Sequence, residues 1–153
     1  MIKFEHDPAN NQWGQAKILD YSCLESGIYE GYSLYISKGG YLAYSTSYSK
    51  GTKWTNIKSP SPLSPYDWHH VAVTYGNNSI NLYVDGVKVN SITYTDGYKK
   101  PAGKVHIGSQ LRKNGEVYCP YTGLLDEVSY YHDILTDNEI KRDYEAFKTR
   151  CIV

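Results

Sequence analysis

The sequence predicts an all-β, antiparallel fold finished by one short C-terminal helix, and three observations predict it. The first is the stretch from Trp68 to Val89, WHHVAVTYGNNSINLYVDGVKV, two alternating apolar runs joined by a polar turn. Val71, Val73 and Tyr75 share one face of the first run, and Ile80, Leu82 and Val84 share one face of the second. That period of two is the strand period. Gly76-Asn77-Asn78-Ser79 offers the positive φ angles that a hairpin needs, and Asp85-Gly86 turns the chain again. The second observation is a composition of 17 Tyr and 3 Trp against 2 Phe. It suits half-wet sheets, where the ring packs and the hydroxyl finds water or a partner. The third is that one convincing helix signal exists, Thr136-Asp137-Asn138-Glu139, a capping box whose hydroxyl and carboxylate each satisfy a backbone N–H.

In chain order, Ile2-Lys3-Phe4 is a short apolar start and Asp7 to Gln12 a polar loop. Lys17 to Tyr21 reads as a strand, and Ser22 to Gly31 as a loop or short turn. Two Tyr-rich strands follow at 32–37 and 41–47. The long stretch from Tyr48 to Asp67 holds one more strand at Trp54-Thr55-Asn56-Ile57. Pro60, Pro62 and Pro65 keep its later part out of a sheet interior, since each lacks a ladder donor. After the central meander, Ser91 to Tyr94 is a strand, and Thr95 to Lys104 and Gln110 to Pro120 are loops. In the closing helix Ile140, Tyr144 and Phe147 form one apolar stripe.

The totals narrow the function. A chain of 153 residues is the size of a single domain, 1–153, with its own core. Sixteen basic and sixteen acidic residues cancel without long runs of either sign, so neither nucleic acid nor an anionic membrane is an expected partner. No apolar run reaches membrane-spanning length, and no apolar h-region of a signal peptide follows the N-terminus. Cys23, Cys119 and Cys151 are odd in number with no metal-ligand spacing. Reduced thiols are the expectation, with one disulfide and one free thiol as the alternative.

A Trp-x-His start to Val-Ala-Val-Thr-Tyr, followed by Leu-Tyr-Val-Asp-Gly, resembles the laminin-G/pentraxin-like group of concanavalin A-like lectin/glucanase domains. Tyr32 to Ile36 with Gly40 and Tyr41 to Ser45 resembles the family's upstream hairpin, and Val105-His106-Ile107-Gly108 its Ile-Gly strand. Gly123 to Val128 with Leu135-Thr136-x-x-Glu139-Ile140 resembles its closing strand and helix. These pieces cover residues 17–141 in family order. The resemblance implies a two-sheet antiparallel jelly-roll sandwich and an extracellular or cell-surface setting. The family's first strands have no counterpart here, which implies either an open sheet edge paired by another chain, with a homo-oligomer as the favoured expectation, or a compact variant of the sandwich.

The resemblance also frames the functional readings, because this fold hosts lectins, adhesion modules and enzymes. Related glucanases carry Glu-x-Asp-x-x-Glu on one strand. No such run exists here, and Asp126 and Glu127 fall on opposite strand faces, unsuited to one glycosidic bond. His69 and His70 point to opposite faces, His70 at the family's packing position, and no Ser or Cys has a triad-like context. No enzyme is therefore expected. Asp126 shares a face with Val128 and Tyr130 and is expected to be partly buried. The resemblance suggests it as a calcium ligand, against backbone hydrogen bonding as the alternative; otherwise no cofactor is expected. Asp85 and Asp96 precede Gly and read as turn residues. Loop aromatics Tyr48, Trp54, Tyr98 and Tyr118 offer stacking surfaces, and the amides of Asn56, Asn78 and Asn114 can donate to and accept from vicinal hydroxyls. The expectation is non-catalytic carbohydrate binding through these seven residues. A protein–protein assembly module using an open edge is second and a jelly-roll enzyme third.

Overall fold

The computed structural model describes residues 1–5, 8, 13–25, 28–48, 53–94, 104–112 and 114–150, excepting the side chains of 23–25, 28, 29, 48 and 53. The expected loop from Thr95 to Lys104 thus falls mostly outside the described residues. The first strands are β1 (Ile2–Phe4), β2 (Gln15–Glu25), β3 (Ile28–Ser37), β4 (Tyr41–Tyr48) and β5 (Lys53–Lys58). The meander follows as β6 (Val71–Gly76), β7 (Ser79–Val84) and β8 (Val87–Thr93). Short strands β9 (His106–Ile107), β10 (Gln110–Leu111), β11 (Val117–Tyr118) and β12 (Gly123–Leu125) precede α1 (Asp137–Lys148).

The strands form a five-stranded sheet ordered β5-β4-β3-β2-β9, a three-stranded sheet β6-β7-β8, and two pairs, β1-β12 and β10-β11, all antiparallel. Period two explains the core. Tyr32, Leu34, Ile36, Leu42, Tyr44 and Ile57 from the larger sheet meet Ile80 and Leu82 from the smaller one, with Ile2 and Phe4 of β1 between them. The meander matches its expected register, Val71 opposite Val84 and Val73 opposite Leu82. Asn77 (φ 49°) and Asn78 (φ 57°) make a two-residue turn with both central residues left-handed, a conformation whose twist suits a tight hairpin. At the far end, the Thr136 capping box forms as expected and Ile140 is buried.

Three expectations need correction. Ser22 to Gly31 is mostly strand: β2 and β3 pair through Ser22–Gly31, Cys23–Glu30 and Leu24–Tyr29. Gly31 looks like a breaker but sits at φ 130°, where a β-carbon would collide with the Tyr21 carbonyl. It permits close strand approach rather than ending the strand. Gln110 to Pro120 contains the β10–β11 hairpin. Finally, β12 stops at Leu125 and Asp126 is exposed, not partly buried. It falls on the phase of Leu124, itself 53% exposed, while Leu125 is the residue of β12 that packs against the core.

One irregularity shapes the face opposite the core. A register shift in β2 between Lys17 and Leu19 breaks strict alternation. Ile18 and Leu19 both pack toward the core, while Lys17 and Asp20, three apart, lie in register with outward residues of β3.

Candidate functional site

The outer face of the five-stranded sheet is built from the polar phase of each strand. Asp20 lies opposite Ser33, Ser33 opposite Ser45, and Ser45 opposite Asn56. The flanking row runs Ser22, Gly31, Ser47 and Trp54, and the other flank runs Lys17, Tyr35, Ala43 and Lys58. These side chains are organised by hydrogen bonds. Asp20, fully buried, accepts from the Ser22 amide (3.3 Å), the Ser22 hydroxyl (2.7 Å) and the Ser33 hydroxyl. The Gln110 amide donates to Ser22 Oγ at 2.8 Å, which ties the β10–β11 hairpin to the sheet. Ser45 donates to Asn56 Oδ1 at 2.6 Å, so the Tyr35 hydroxyl, 2.8 Å from Ser45 Oγ, is the donor in that pair.

Charge on this face is balanced internally. Lys17 Nζ lies 3.9 Å from Asp20 Oδ1 and 4.6 Å from the centre of the Tyr35 ring. Burial pulls the Lys17 ammonium below its ordinary range, against the opposing pull of Asp20. Lys58 sits 4.1 Å over the Tyr41 ring. Burial likewise pushes the Tyr35 phenol upward.

Aromatic groups lie on both sides of this floor. Trp54, 47% exposed, stands on β5. On the β2 side, Arg112 lies 3.6 Å over the Tyr118 ring, and the Trp13 indole N–H donates to the Tyr118 hydroxyl. Trp13 is 55% exposed. A flat ring beside hydroxyls, an amide and a guanidinium offers both stacking and polar contacts.

The candidates sort by position. Trp54 and Asn56 share the outer face of β5, and Tyr118 and Asn114 share the β10–β11 hairpin. Asn114 holds that hairpin's turn, its Oδ1 accepting from the Glu116 amide at 3.0 Å. Asn78 is not on this face. It forms the β6–β7 turn, and its carbonyl accepts from Tyr94 N–H at 2.8 Å. Tyr48 ends β4 opposite Lys53, with its side chain outside the described residues, as is all of Tyr98. Asp126 Oδ1 accepts from the Glu127 amide at 2.8 Å. Among the described residues, no three His, Cys, Asp or Glu side chains gather to hold a metal.

Sequence reasoning missed Lys17, Asp20, Ser22, Tyr35, Arg112 and Trp13. The polar phase Ser33-x-Tyr35-x-Ser37 was a usable signal; the β2 register shift gave none. Also missed was the cluster around His69. Its Nδ1 lies 3.0 Å from Asp85 Oδ2, and its Nε2 lies 3.1 Å from both Ser64 Oγ and the Ser64 carbonyl. The three side chains resemble a hydrolytic triad, but the chemistry does not follow. The Nε2 that donates to the Ser64 carbonyl cannot take the Ser64 proton, and that hydroxyl donates to Asp67 at 2.7 Å. Hydrogen bonding to Asp85 holds His69 above its ordinary pKa, and the ring clamps the Ser64 segment to Asp85. Asp85 is therefore more than a turn residue, since its Oδ1 also accepts from the His70 amide at 2.8 Å.

Comparison with known proteins bears on the fold. No curated protein matches the chain in sequence. The CBM40 module of a Ruminococcus gnavus IT-sialidase bound to α2,3-sialyllactose superposes with a TM-score of 0.73 at 18% identity, covering 94% of this chain and 79% of that one. A leech intramolecular trans-sialidase complexed with 2,7-anhydro-Neu5Ac gives 0.72 at 17%, covering 92% and 22%. A heptameric SAP-like pentraxin from Limulus polyphemus gives 0.62 at 19%, covering 92% and 64%. At these identities the likeness establishes a shared jelly-roll fold. A family model described as the concanavalin A-like lectin/glucanases superfamily matches residues 6–141. The chain belongs to that family, as its laminin-G-type member group.

Proposed function

We propose that this chain is a non-catalytic carbohydrate-binding domain that takes glycans on the outer face of its five-stranded sheet. The observation that carries the reading is the two exposed aromatic groups, Trp54 with Asn56 on one side and Trp13 with Tyr118 and Arg112 on the other, flanking a hydrogen-bonded floor of Asp20, Ser33 and Ser45 that is itself buried. Sugar rings present C–H faces that stack on aromatic rings and hydroxyls that exchange hydrogen bonds with amides. Trp54, Asn56, Tyr118 and Asn114 are the proposed contacts from the sequence, joined by Trp13 and Arg112. The CBM40 neighbour, bound to sialyllactose, supports a glycan as ligand. The non-catalytic part rests on Asp20, an acid already engaged by Ser22, Ser33 and Lys17 and thus a poor partner for the two-carboxylate chemistry of a glycosidase.

The test is a glycan-array screen, with calcium and again with chelator, followed by titration of sialyllactose and of neutral lactose against tryptophan fluorescence. Saturable binding that Trp54→Ala weakens at least about tenfold supports the reading, since base or sugar stacking on one ring carries about 1–3 kcal/mol. A blank array, or binding indifferent to Trp54 and Trp13, overturns it. Chelator sensitivity decides calcium at Asp126.

A further inference from the structure

We infer that the gap between β6 and residues 127–134 receives an extended strand from another polypeptide, laid in line with β1, apolar at alternate positions and basic between them. Backbone parity defines the gap. His69 and Ile2 exchange both backbone hydrogen bonds, at 2.9 and 2.8 Å. The His70 carbonyl instead accepts from Asp85 N–H at 2.8 Å, on the β7 side. Alternation then turns the N–H and C=O groups of Val71 and Val73 to the side that Ile2 occupies. Among the described residues, no backbone partner meets Val71 or Val73 on that side.

The opposite wall is equally defined. The Met1 ammonium donates to the Asp126 carbonyl at 2.7 Å and Asp126 N–H donates to the Met1 carbonyl at 3.0 Å. A strand prolonging the line of β1 therefore has β6 on one side and 127–134 on the other. The space is a cavity of about 590 Å³ lined by Val71, Val73, Val128 and Ile134, with Leu34 and Tyr44 of the core at its floor. Val128 and Ile134 remain 43% and 42% exposed. Inward side chains of the incoming strand must be apolar to meet such a lining.

Two polar features specify the rest. His70 is 8% exposed and lines the cavity, and its Nδ1 has no hydrogen-bond partner among the described residues. Burial holds this imidazole below its ordinary pKa, and a polar group of the incoming strand would satisfy its unpartnered Nδ1. Carboxylates exceed cations in the lining. Glu127 pairs with Arg150 at 3.3 Å, and the carboxylates of Asp133 and Asp143 then stand against one remaining cation, the Met1 ammonium, which donates to the Asp126 backbone carbonyl. Lys or Arg at the outward positions of the strand complements them.

The probe is a fluorescein-labelled peptide alternating Val with Lys, compared with the same composition in two blocks and with an alternating Val/Glu peptide. Anisotropy reports binding, and amide exchange reports the N–H groups of Val71 and Val73. The expected result is saturable binding of the Val/Lys peptide, at least about tenfold weaker for the other two, with exchange slowed at both amides. Val73→Pro removes one donor on the gap side while leaving the β7 ladder its own bonds. It should weaken binding by a similar factor. Should that variant fail to fold, exchange in the unaltered protein decides. Equal binding of all three peptides, or none at about 1 mM, overturns the inference. So does a concentration-dependent dimer that protects Val71 and Val73 without peptide, which would make a second copy the occupant.

Discussion

Replacing Asp20 with Ala tests the buried floor of the outer face. The carboxylate is fully buried and is shared by one amide, two hydroxyls and the Lys17 ammonium, itself 6% exposed. Truncation leaves a buried cation without its counter-ion and three donors without an acceptor. Removing one member of a buried pair costs about 3–5 kcal/mol. Burial already displaces the Lys17 ammonium downward against the pull of Asp20, which places the expected loss near the lower figure. In urea denaturation followed by tryptophan fluorescence, about 3 kcal/mol at a slope of about 2 kcal/mol/M moves the midpoint by about 1.5 M. Adding Lys17→Met to an Asp20→Leu change should bring stability back to within about 1 kcal/mol, because apolar replacement of a whole buried pair is often neutral. An Asp20→Ala loss below about 1 kcal/mol would refute the buried-pair reasoning. A double variant as unstable as the single one would assign the cost to packing instead.

Stability should depend on pH through His69 and Asp85. Hydrogen bonding to Asp85 raises His69 above 6.5, so its contribution is full below that value and fades as pH rises through the folded pKa. Burial alone would raise the Asp85 carboxyl, but His69 and the His70 amide outweigh it and hold it below 3.8, so its contribution is full above that value and fades as pH falls through the folded pKa. Thermal melts should peak between the two ordinary values, and Asp85→Asn should flatten both limbs. Gly31→Ala should cost at least about 1–3 kcal/mol, measured by denaturation, because its φ of 130° and the Tyr21 carbonyl both reject a β-carbon. Thr136→Ala should cost about 1 kcal/mol and fray α1 in amide exchange, since its hydroxyl caps the Glu139 amide.

Much of this fold was legible because local signals and tertiary packing agree. Val71, Val73, Ile80 and Leu82 alternate on an unambiguous phase, Asn77-Asn78 fits only a few turns, and Thr136 with Glu139 marks a helix start. The hairpin of β2 and β3 was hidden because Ser22 and Gly31 carry loop chemistry, while cross-strand pairing decides their conformation. Asp126 was misplaced by taking the phase it shares with Val128 and Tyr130 as the buried one, whereas Leu125 packs inward and Val128 and Tyr130 are 43% and 63% exposed. For the site, Trp54 and Asn56 were found as an aromatic and an amide near loops, and they do share one face. Arg112 and Trp13 escaped notice because their proximity to Tyr118 depends on a hairpin whose two strands are only two residues long each, too short for an alternating pattern to show. The clamp of Ser64, His69 and Asp85 spans separate segments, and no spacing rule connects them.

The register shift in β2 has a consequence for how this protein tolerates change in length. Residues before it and after it obey two different alternations, joined only because one extra residue is accommodated at Ile18. Deleting that residue would restore a single alternation along the strand. With Ile18 gone, Ala16 and Leu19 both remain inward and Lys17 and Asp20 both remain outward, so neither half of β2 exchanges its faces. A one-residue deletion should therefore be better tolerated at Ile18 than away from the shift, at Ser22 for instance, where it would turn over the residues on one side of it. The extra residue makes position 18 the place where this strand can change length and still display the same outer face.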